Sequence, residues 1–381
     1  MNFFNLDNMK KTLLVIAFVL LLFTTCEKDD YETGIKAPGR NDDLVEKVEG
    51  RVVLAYVTHY GKYLPDPNYF TNLNYSFAEI YMEDGVYKGF KLQGDEARFR
   101  QIINLKRKNP DLKISLAFTN TIENPDNPRG GSFSLLAKSD TYRKEFALDC
   151  KNFLQKWNID GVDMDWEFPG LSWDGDPNAY DVEVDVANHV LLMKQLRETL
   201  RHKYLLTYAG YCKDKENVVG GSRYIDIEAV APYVDFVNIM TYDLDEAPHH
   251  HSALSDPSAY SDCIRAVQVY LDAGMPANKL VLGVPFYGRR SFNPLLSINF
   301  KDILLLNPRQ YKIDNWDNNA SVPYVTYNGE YYCGYDNEKS ISIKGEWLLD
   351  KGMKGMMYWE YDGDDAIGTL RRAVWQTTMK K

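Results

Sequence analysis

Several features are scarce or missing in this 381-residue chain, and each absence narrows what it can do. There are five cysteines, four of them at 150, 212, 263 and 333. Their wide spacing forms neither a metal clip nor a dense disulfide framework, so buried free thiols are the expected state. Positive charge is in deficit, with a formal net charge of -10. That argues against nucleic acid or an anionic membrane surface as partner and leaves a neutral glycan compatible. No Gly-rich phosphate loop follows the first apolar segment, which disfavours a doubly wound nucleotide-binding sheet. The apolar run Thr12 to Phe23 is too short to span a bilayer comfortably. The run His249-His250-His251 cannot easily converge on one ion, so a loop role is expected, with no metal and no cofactor.

What the chain does contain is aromatic surface and a repeated rhythm. Its 27 tyrosines and 7 tryptophans exceed what a core needs, and rings with a flat apolar face and a polar tip suit sugars. From residue 51 a short apolar or β-branched run, a polar loop and a helix-period segment recur. The runs are Arg51 to Thr58, Tyr69 to Ile80, Lys113 to Thr119, Ile159 to Glu167, Leu205 to Gly210, Phe236 to Tyr242, Leu280 to Tyr287 and Gly355 to Trp359. Helical periodicity is expected over Asp95 to Lys108, Tyr142 to Trp157, Val184 to His202, Ala259 to Ala273, Glu338 to Lys351 and Asp364 to Gln376. Strands alternating with helices imply a parallel sheet, and eight such units imply a (β/α)8 TIM barrel. Residues 291–332 break the rhythm and read as a short insertion between strand 7 and helix 7, forming at most a low wall or an inert excursion.

The chemistry concentrates in Asp160-Gly161-Val162-Asp163-Met164-Asp165-Trp166-Glu167-Phe168-Pro169-Gly170. In a strand, side chains alternate, so Asp163, Asp165 and Glu167 share one face while Val162, Met164 and Trp166 share the other. Crowded carboxyls resist joint ionisation and are costly to bury charged, so some must hold protons near neutrality. Glu167, outermost and stopped by Pro169-Gly170, is the candidate proton donor. A calcium loop also alternates acids, but it favours Asn and Gly over bulky Val, Met and Trp. In a barrel the site lies where strands end, and Tyr242, Tyr287 and Trp359 close their runs at the same rim as Glu167.

The acidic stretch resembles the D-x-x-D-x-D-x-E signature of glycoside hydrolase family 18, the chitinases and related endo-N-acetylglucosaminidases. Further segments are similar in the same order: Asn74-Tyr75-Ser76-Phe77-Ala78, Met240-Thr241-Tyr242-Asp243, Gly283 to Arg289, Tyr335-Asp336-Asn337-Glu338-Lys339-Ser340, and Gly355 to Glu360. The resemblance implies retaining hydrolysis of β-1,4-linked N-acetylglucosamine by substrate assistance, with Glu167 as acid/base, Asp165 steadying the acetamido nitrogen, Asp163 sharing a proton with Asp165, and Tyr242 holding the acetamido carbonyl. It also implies substrate contacts from Trp359 as floor, Tyr56, Phe77, Met240, Asp243, Tyr287 and Arg289, with Arg289 and Asp243 gripping sugar hydroxyls or each other. Asp160 would fix the start of the strand. One departure stands out: the family's third-strand S-x-G-G is replaced by Ala117-Phe118-Thr119-Asn120. Ala117 cannot support the inner aspartates as a serine would, and Phe118, Thr119 and Asn120 are expected to crowd the cleft. Two other readings remain: an endo-β-N-acetylglucosaminidase acting on the chitobiose core of N-glycans, and a surface protein that binds glycan without cutting it.

At the N-terminus, Lys10-Lys11, the apolar run and Thr24-Thr25-Cys26 read as an export signal. It resembles a bacterial lipoprotein signal with Cys26 lipidated, which would tie the protein to the cell envelope and to a membrane only through that anchor. Plain cleavage and secretion is the alternative. The expected organisation is a signal at 1–25, a tether at 26–48 and a catalytic barrel at 49–381, acting as a monomer.

Overall fold

The computed structural model describes residues 45–127, 132–171, 180–217 and 223–381. The expected signal segment, Cys26 and most of the expected tether lie outside them. The tether's end does not: Val45 and Val48 pack against the core, and the Trp375 indole donates to the Val45 carbonyl at 2.8 Å. Residues 45–48, expected as the end of the tether, are therefore packed against the barrel.

The strands run in chain order as β1 (Val52–Thr58), β2 (Asn72–Glu83), β3 (Val86–Leu92), β4 (Lys113–Thr119), β5 (Gly161–Asp165), β6 (Leu205–Gly210), β7 (Phe236–Ile239) and β8 (Leu280–Pro285). After them come β9 (Tyr287–Phe292), β10 (Leu295–Asn299), β11 (Tyr311–Asp317), β12 (Val322–Tyr327), β13 (Glu330–Gly334) and β14 (Gly355–Trp359). Strands β1, β2, β4 to β8 and β14 are parallel, and β1 pairs with both β2 and β14, which closes the ring. The fold is thus the expected (β/α)8 barrel, with β3 added to β2 as an antiparallel hairpin. Buried on both faces, barrel strands such as Val52–Thr58 are continuous apolar runs rather than alternating ones.

Outward side chains, among them Val162, Met164 and Trp166, join the helices in the main core. Inward ones, including Tyr56, Ala117, Ala209, Met240, Tyr242 and Met357, fill the lumen. Helix ends obey local chemistry. Ser139 caps the helix Asp140–Trp157, whose far end closes on left-handed Asn158, and Asn337 and Ser340 form a reciprocal capping box on Glu338–Asp350.

The stretch after β8 departs from expectation. It holds a five-stranded antiparallel sheet, β10-β9-β13-β12-β11, spanning Tyr287 to Gly334 and so wider than 291–332. Its strands are short and bulged, with Asn and Gly at the turns, which hides them from a search for strand-helix units. The Tyr335-Asp336 segment that follows is a structural clasp. Buried Asp336 accepts from Ser252 Oγ at 2.6 Å, from Ser340 Oγ at 2.7 Å and from Lys344 Nζ at 2.7 Å, tying the loop after β7 to the helix Glu338–Asp350. Cys150, Cys212, Cys263 and Cys333 are buried free thiols.

Candidate active site

A cavity of about 500 Å³ opens at the C-terminal rim of the barrel, within the usual size range for small-ligand pockets. Its lining gathers residues from most barrel strands: Tyr56, Phe77, Asp165, Glu167, Met240, Tyr242, Asp243, Tyr287, Arg289 and Trp359. Every expected catalytic or substrate residue except Asp163 borders it, and Asp163 sits directly beneath. The insertion supplies one wall through Tyr287, Arg289, Leu295, Ser297 and Asn299, so it is part of the site rather than inert.

Asp163 is fully buried and fully engaged. Tyr56 Oη donates to it at 2.7 Å, Asn238 Nδ2 at 3.0 Å and Thr207 Oγ1 at 2.5 Å. Burial pushes its carboxyl upward while these donors pull it back. Thr207, on β6, therefore supplies the hydroxyl that Ala117 cannot, and Tyr56 is committed to Asp163 as well as facing the cavity. Among the described residues no hydrogen bond joins Asp163 to Asp165, and Asp163 acts on Asp165 through its charge. Asp165 bonds instead with Glu167. Burial, then the Glu167 and Asp163 charges, drive the Asp165 carboxyl well above its usual range. Glu167 is pushed up to about 7 by burial and by the Asp243 charge, with the Asp165 hydrogen bond opposing. The two titrate as a pair that still holds a transferable proton near neutrality. One Asp165 oxygen, Oδ1, is buried with no partner among the described residues.

Trp359 packs against Phe77 at 5.6 Å with near-parallel rings and against Tyr56 at 5.7 Å. Tyr242 is buried, and its phenol is driven well above its ordinary range by burial and by the Asp165 and Glu167 charges, so it remains a proton-bearing donor. Gly283 makes room for it: a Cβ there would lie 2.9 Å from the Tyr242 ring and 2.5 Å from the Ile239 carbonyl. Arg289 grips Asp243 in a two-point pair at 2.9 and 2.6 Å. Although burial works the other way, His251 and Arg289 hold the Asp243 carboxyl well below the usual range.

The three consecutive histidines diverge to three different carboxylates: His249 to Asp256 at 3.8 Å, His250 to Asp317 at 3.2 Å and His251 to Asp243 at 3.2 Å. Asp160 accepts from the Ile114 amide at 2.8 Å and from Lys106 at 2.5 Å, at the start of β5. Phe118 faces the outer core with Phe90 and Phe146 and does not crowd the cleft. Thr119 lines the cavity, and Asn120 bonds to the Glu167 backbone. Residues that sequence reasoning missed include Thr207, Asn238, Tyr60, Tyr211 and Glu360. Two of them were within reach: Asn238 alternates with Met240 and Tyr242, and Thr207 with Ala209, the same period that exposed the acids. Glu360, next to Trp359, accepts from Thr58 Oγ1 at 3.3 Å and from the Asp362 amide at 3.2 Å, and burial pushes it up to about 7.

Residues 52–364 match the model of glycosyl hydrolases family 18. Chitinase A1 of Niallia circulans is 33% identical over 311 residues, which are 69% of this chain but 42% of that protein. The chain thus spans less than half the length of that relative. Probable chitinase 2 of Drosophila melanogaster is 27% identical over 378 residues, covering 84% of this chain and 74% of the relative. Among solved structures, a family 18 N-acetylglucosaminidase from Paenibacillus barengoltzii superposes with a TM-score of 0.71 at 25% identity, covering 86% of this chain and 99% of that one. An eight-stranded barrel with coupled acids at its rim, and a family match along nearly the whole described chain, lead to one conclusion: the protein belongs to glycosyl hydrolase family 18 and is a chitinase-like enzyme.

Proposed function

We propose that the protein hydrolyses β-1,4-linked N-acetylglucosamine, as in chitin oligomers, with retention of anomeric configuration. The observation that carries this is the buried Asp165 Oδ1, unpartnered among the described residues, beside a proton-bearing Glu167 in a cavity that Tyr242 and Trp359 also line. Glu167 gives its proton to the bridging oxygen as the glycosidic bond breaks. The acetamido oxygen of the same sugar attacks its own anomeric carbon, so no second carboxylate is needed at attack distance. Asp165 Oδ1 accepts from the acetamido N–H and stabilises the positive charge that develops there, while the Tyr242 phenol donates to the acetamido oxygen. Glu167, now a carboxylate, takes a proton from water as that water opens the cyclic intermediate. Trp359 offers a flat apolar face under the sugar ring.

The N-glycan reading and the non-catalytic reading make different products. Tetra-N-acetylchitotetraose and a high-mannose glycoprotein are incubated separately with the protein, with mass spectrometry and proton NMR of the products. Chitobiose released first as the β-anomer supports the proposal. Release of the glycan with cleavage between its two core N-acetylglucosamines supports the N-glycan reading, and no cleavage of either substrate leaves glycan binding alone.

A further inference from the structure

Strand β5 ends at Asp165, two residues before the acid it serves. The ladder between β4 and β5 runs in register from Ser115 opposite Gly161 to Thr119 opposite Asp165. Beyond that rung a side chain takes over. The Glu167 N–H donates to Asn120 Oδ1 at 3.1 Å, and Asn120 Nδ2 donates to the Glu167 carbonyl at 3.3 Å. A carboxamide matches a peptide group donor for acceptor, so these two contacts act as one more rung of the sheet.

We infer that Asn120 is a positioning residue for Glu167, holding the backbone of the proton donor in place by a two-point amide contact. Asn120 stands where the family pattern has its second glycine, a residue with no side chain to make such a contact. The inference rests on Glu167 being the proton donor, as proposed above. The physical reasoning is geometric. Glu167 must aim its carboxyl both at Asp165 and at a bridging oxygen, and its side chain hangs from a backbone already past the last ladder bond of β5. Two contacts fix both ends of the Glu167 residue, where one would leave a pivot. A misplacement of about 1 Å at a reacting group costs about a hundredfold in rate. Replacing Asn120 by glycine or alanine frees that backbone, whereas aspartate keeps an acceptor for the Glu167 N–H, loses the donor to its carbonyl and adds a negative charge nearby.

The test uses the whole chain and tetra-N-acetylchitotetraose. Asn120→Gly and Asn120→Ala are expected to lower kcat about 10- to 100-fold with KM within about twofold. Asn120→Asp is expected to move the alkaline limb of the rate profile upward, because added negative charge raises the Glu167 pKa. A merely structural residue would change thermal stability and leave kcat per folded molecule of Asn120→Gly and Asn120→Ala near that of the parent. A second readout does not depend on turnover: carbon-13 NMR titration of Glu167 in the parent and in Asn120→Ala. A carboxyl released from its buried position is expected to titrate at least half a unit, on the order of 0.5, closer to an ordinary glutamate. If kcat stays within about twofold of the parent, or the Glu167 titration does not move, the positioning role is wrong. Should the parent cleave nothing while the titration still shifts, the proposed function fails and the role of Asn120 in holding Glu167 stands.

Discussion

Asp336 and Asp165 are both acids removed from solvent in the same barrel, and their surroundings differ in kind. Asp336 has two serine hydroxyls and the Lys344 ammonium on its two oxygens, so its charge is matched and both acceptor oxygens are satisfied. Asp165 has a second carboxyl for its neighbour, a third beneath it and one oxygen with no partner among the described residues. The first arrangement holds a loop to a helix. The second stores unfavourable electrostatics at the mouth of a cavity, where a substrate can relieve it. Burial alone therefore does not mark a functional acid; incomplete pairing beside an opening does.

The largest effect that tests this contrast is on rate. Glu167→Gln keeps the shape of the side chain and removes its proton, so cleavage of a chitin oligomer is expected to fall about a hundredfold to ten-thousandfold. Thermal stability should not decrease, since the variant discharges a crowded cluster. Undiminished turnover would transfer the acid role elsewhere. The mirror experiment is at the satisfied acid. Lys344→Met leaves the Asp336 charge buried with only hydroxyl donors, and the expected loss is about 3–5 kcal/mol of unfolding free energy by denaturant titration. Turnover per folded molecule is expected to stay near that of the parent. Loss of activity without loss of stability would mean that the clasp communicates with the site.

A third buried group sharpens the comparison because it lies outside the cavity that holds the acids and has no hydrogen-bond partner among the described residues. His189 packs on Trp166 and Tyr208, and neither ring nitrogen has a hydrogen-bond partner among the described residues. Burial lowers its pKa to about 3. A histidine depressed in the folded state contributes stability that is complete above its unfolded pKa of about 6.5 and is lost as pH falls toward its folded value. By pH 5 the loss from this group alone is about 2 kcal/mol. His189→Leu is expected to remove that component, seen as a smaller decline in melting temperature between pH 7 and pH 5. An unchanged decline would mean that the ring is already solvated or paired.

These acids also show where sequence reading reaches and where it stops. Strand spacing, the alternation of Asp163, Asp165 and Glu167, and the placement of Tyr242 and Trp359 at strand ends were legible because period and chain order survive folding. The barrel and the rim positions of Asp165, Glu167, Tyr242, Tyr287 and Trp359 followed from them, whereas Tyr56, Phe77, Met240, Asp243 and Arg289 came from the resemblance to the family. The partner of each acid was not legible. Asp165 sits two residues from both Asp163 and Glu167, and only the donors arriving from β1, β6 and β7 decide which neighbour it joins. The insertion's place after the seventh barrel strand was legible, but its internal sheet was not, for a related reason: its strands are short, bulged and paired with one another, so neither strand length nor alternation announces them. Thr207 replacing the missing serine illustrates the same limit, since the substitute comes from a strand some 90 residues distant, roughly, and spatial neighbours need not be sequence neighbours.

The smallest expected effect concerns how far the neighbouring charge tunes the donor. Asp243 is ionised through its contacts with Arg289 and His251, and its negative charge adds to burial in raising Glu167 to about 7. A general acid works while protonated, so cleavage should decline as pH rises through that value. In Asp243→Asn the repelling charge is gone and the Arg289 cation is left without its carboxylate, and both changes favour ionised Glu167. The alkaline limb of kcat is therefore expected to move to lower pH, by on the order of half a unit. A shift upward, or none, would mean that burial alone sets the Glu167 proton affinity and that the Arg289–Asp243 pair serves only to hold the wall of the cavity. Measuring the limb on a soluble oligomer at substrate saturation separates this from a loss of sugar contacts by Asp243, which would raise KM and leave the limb in place.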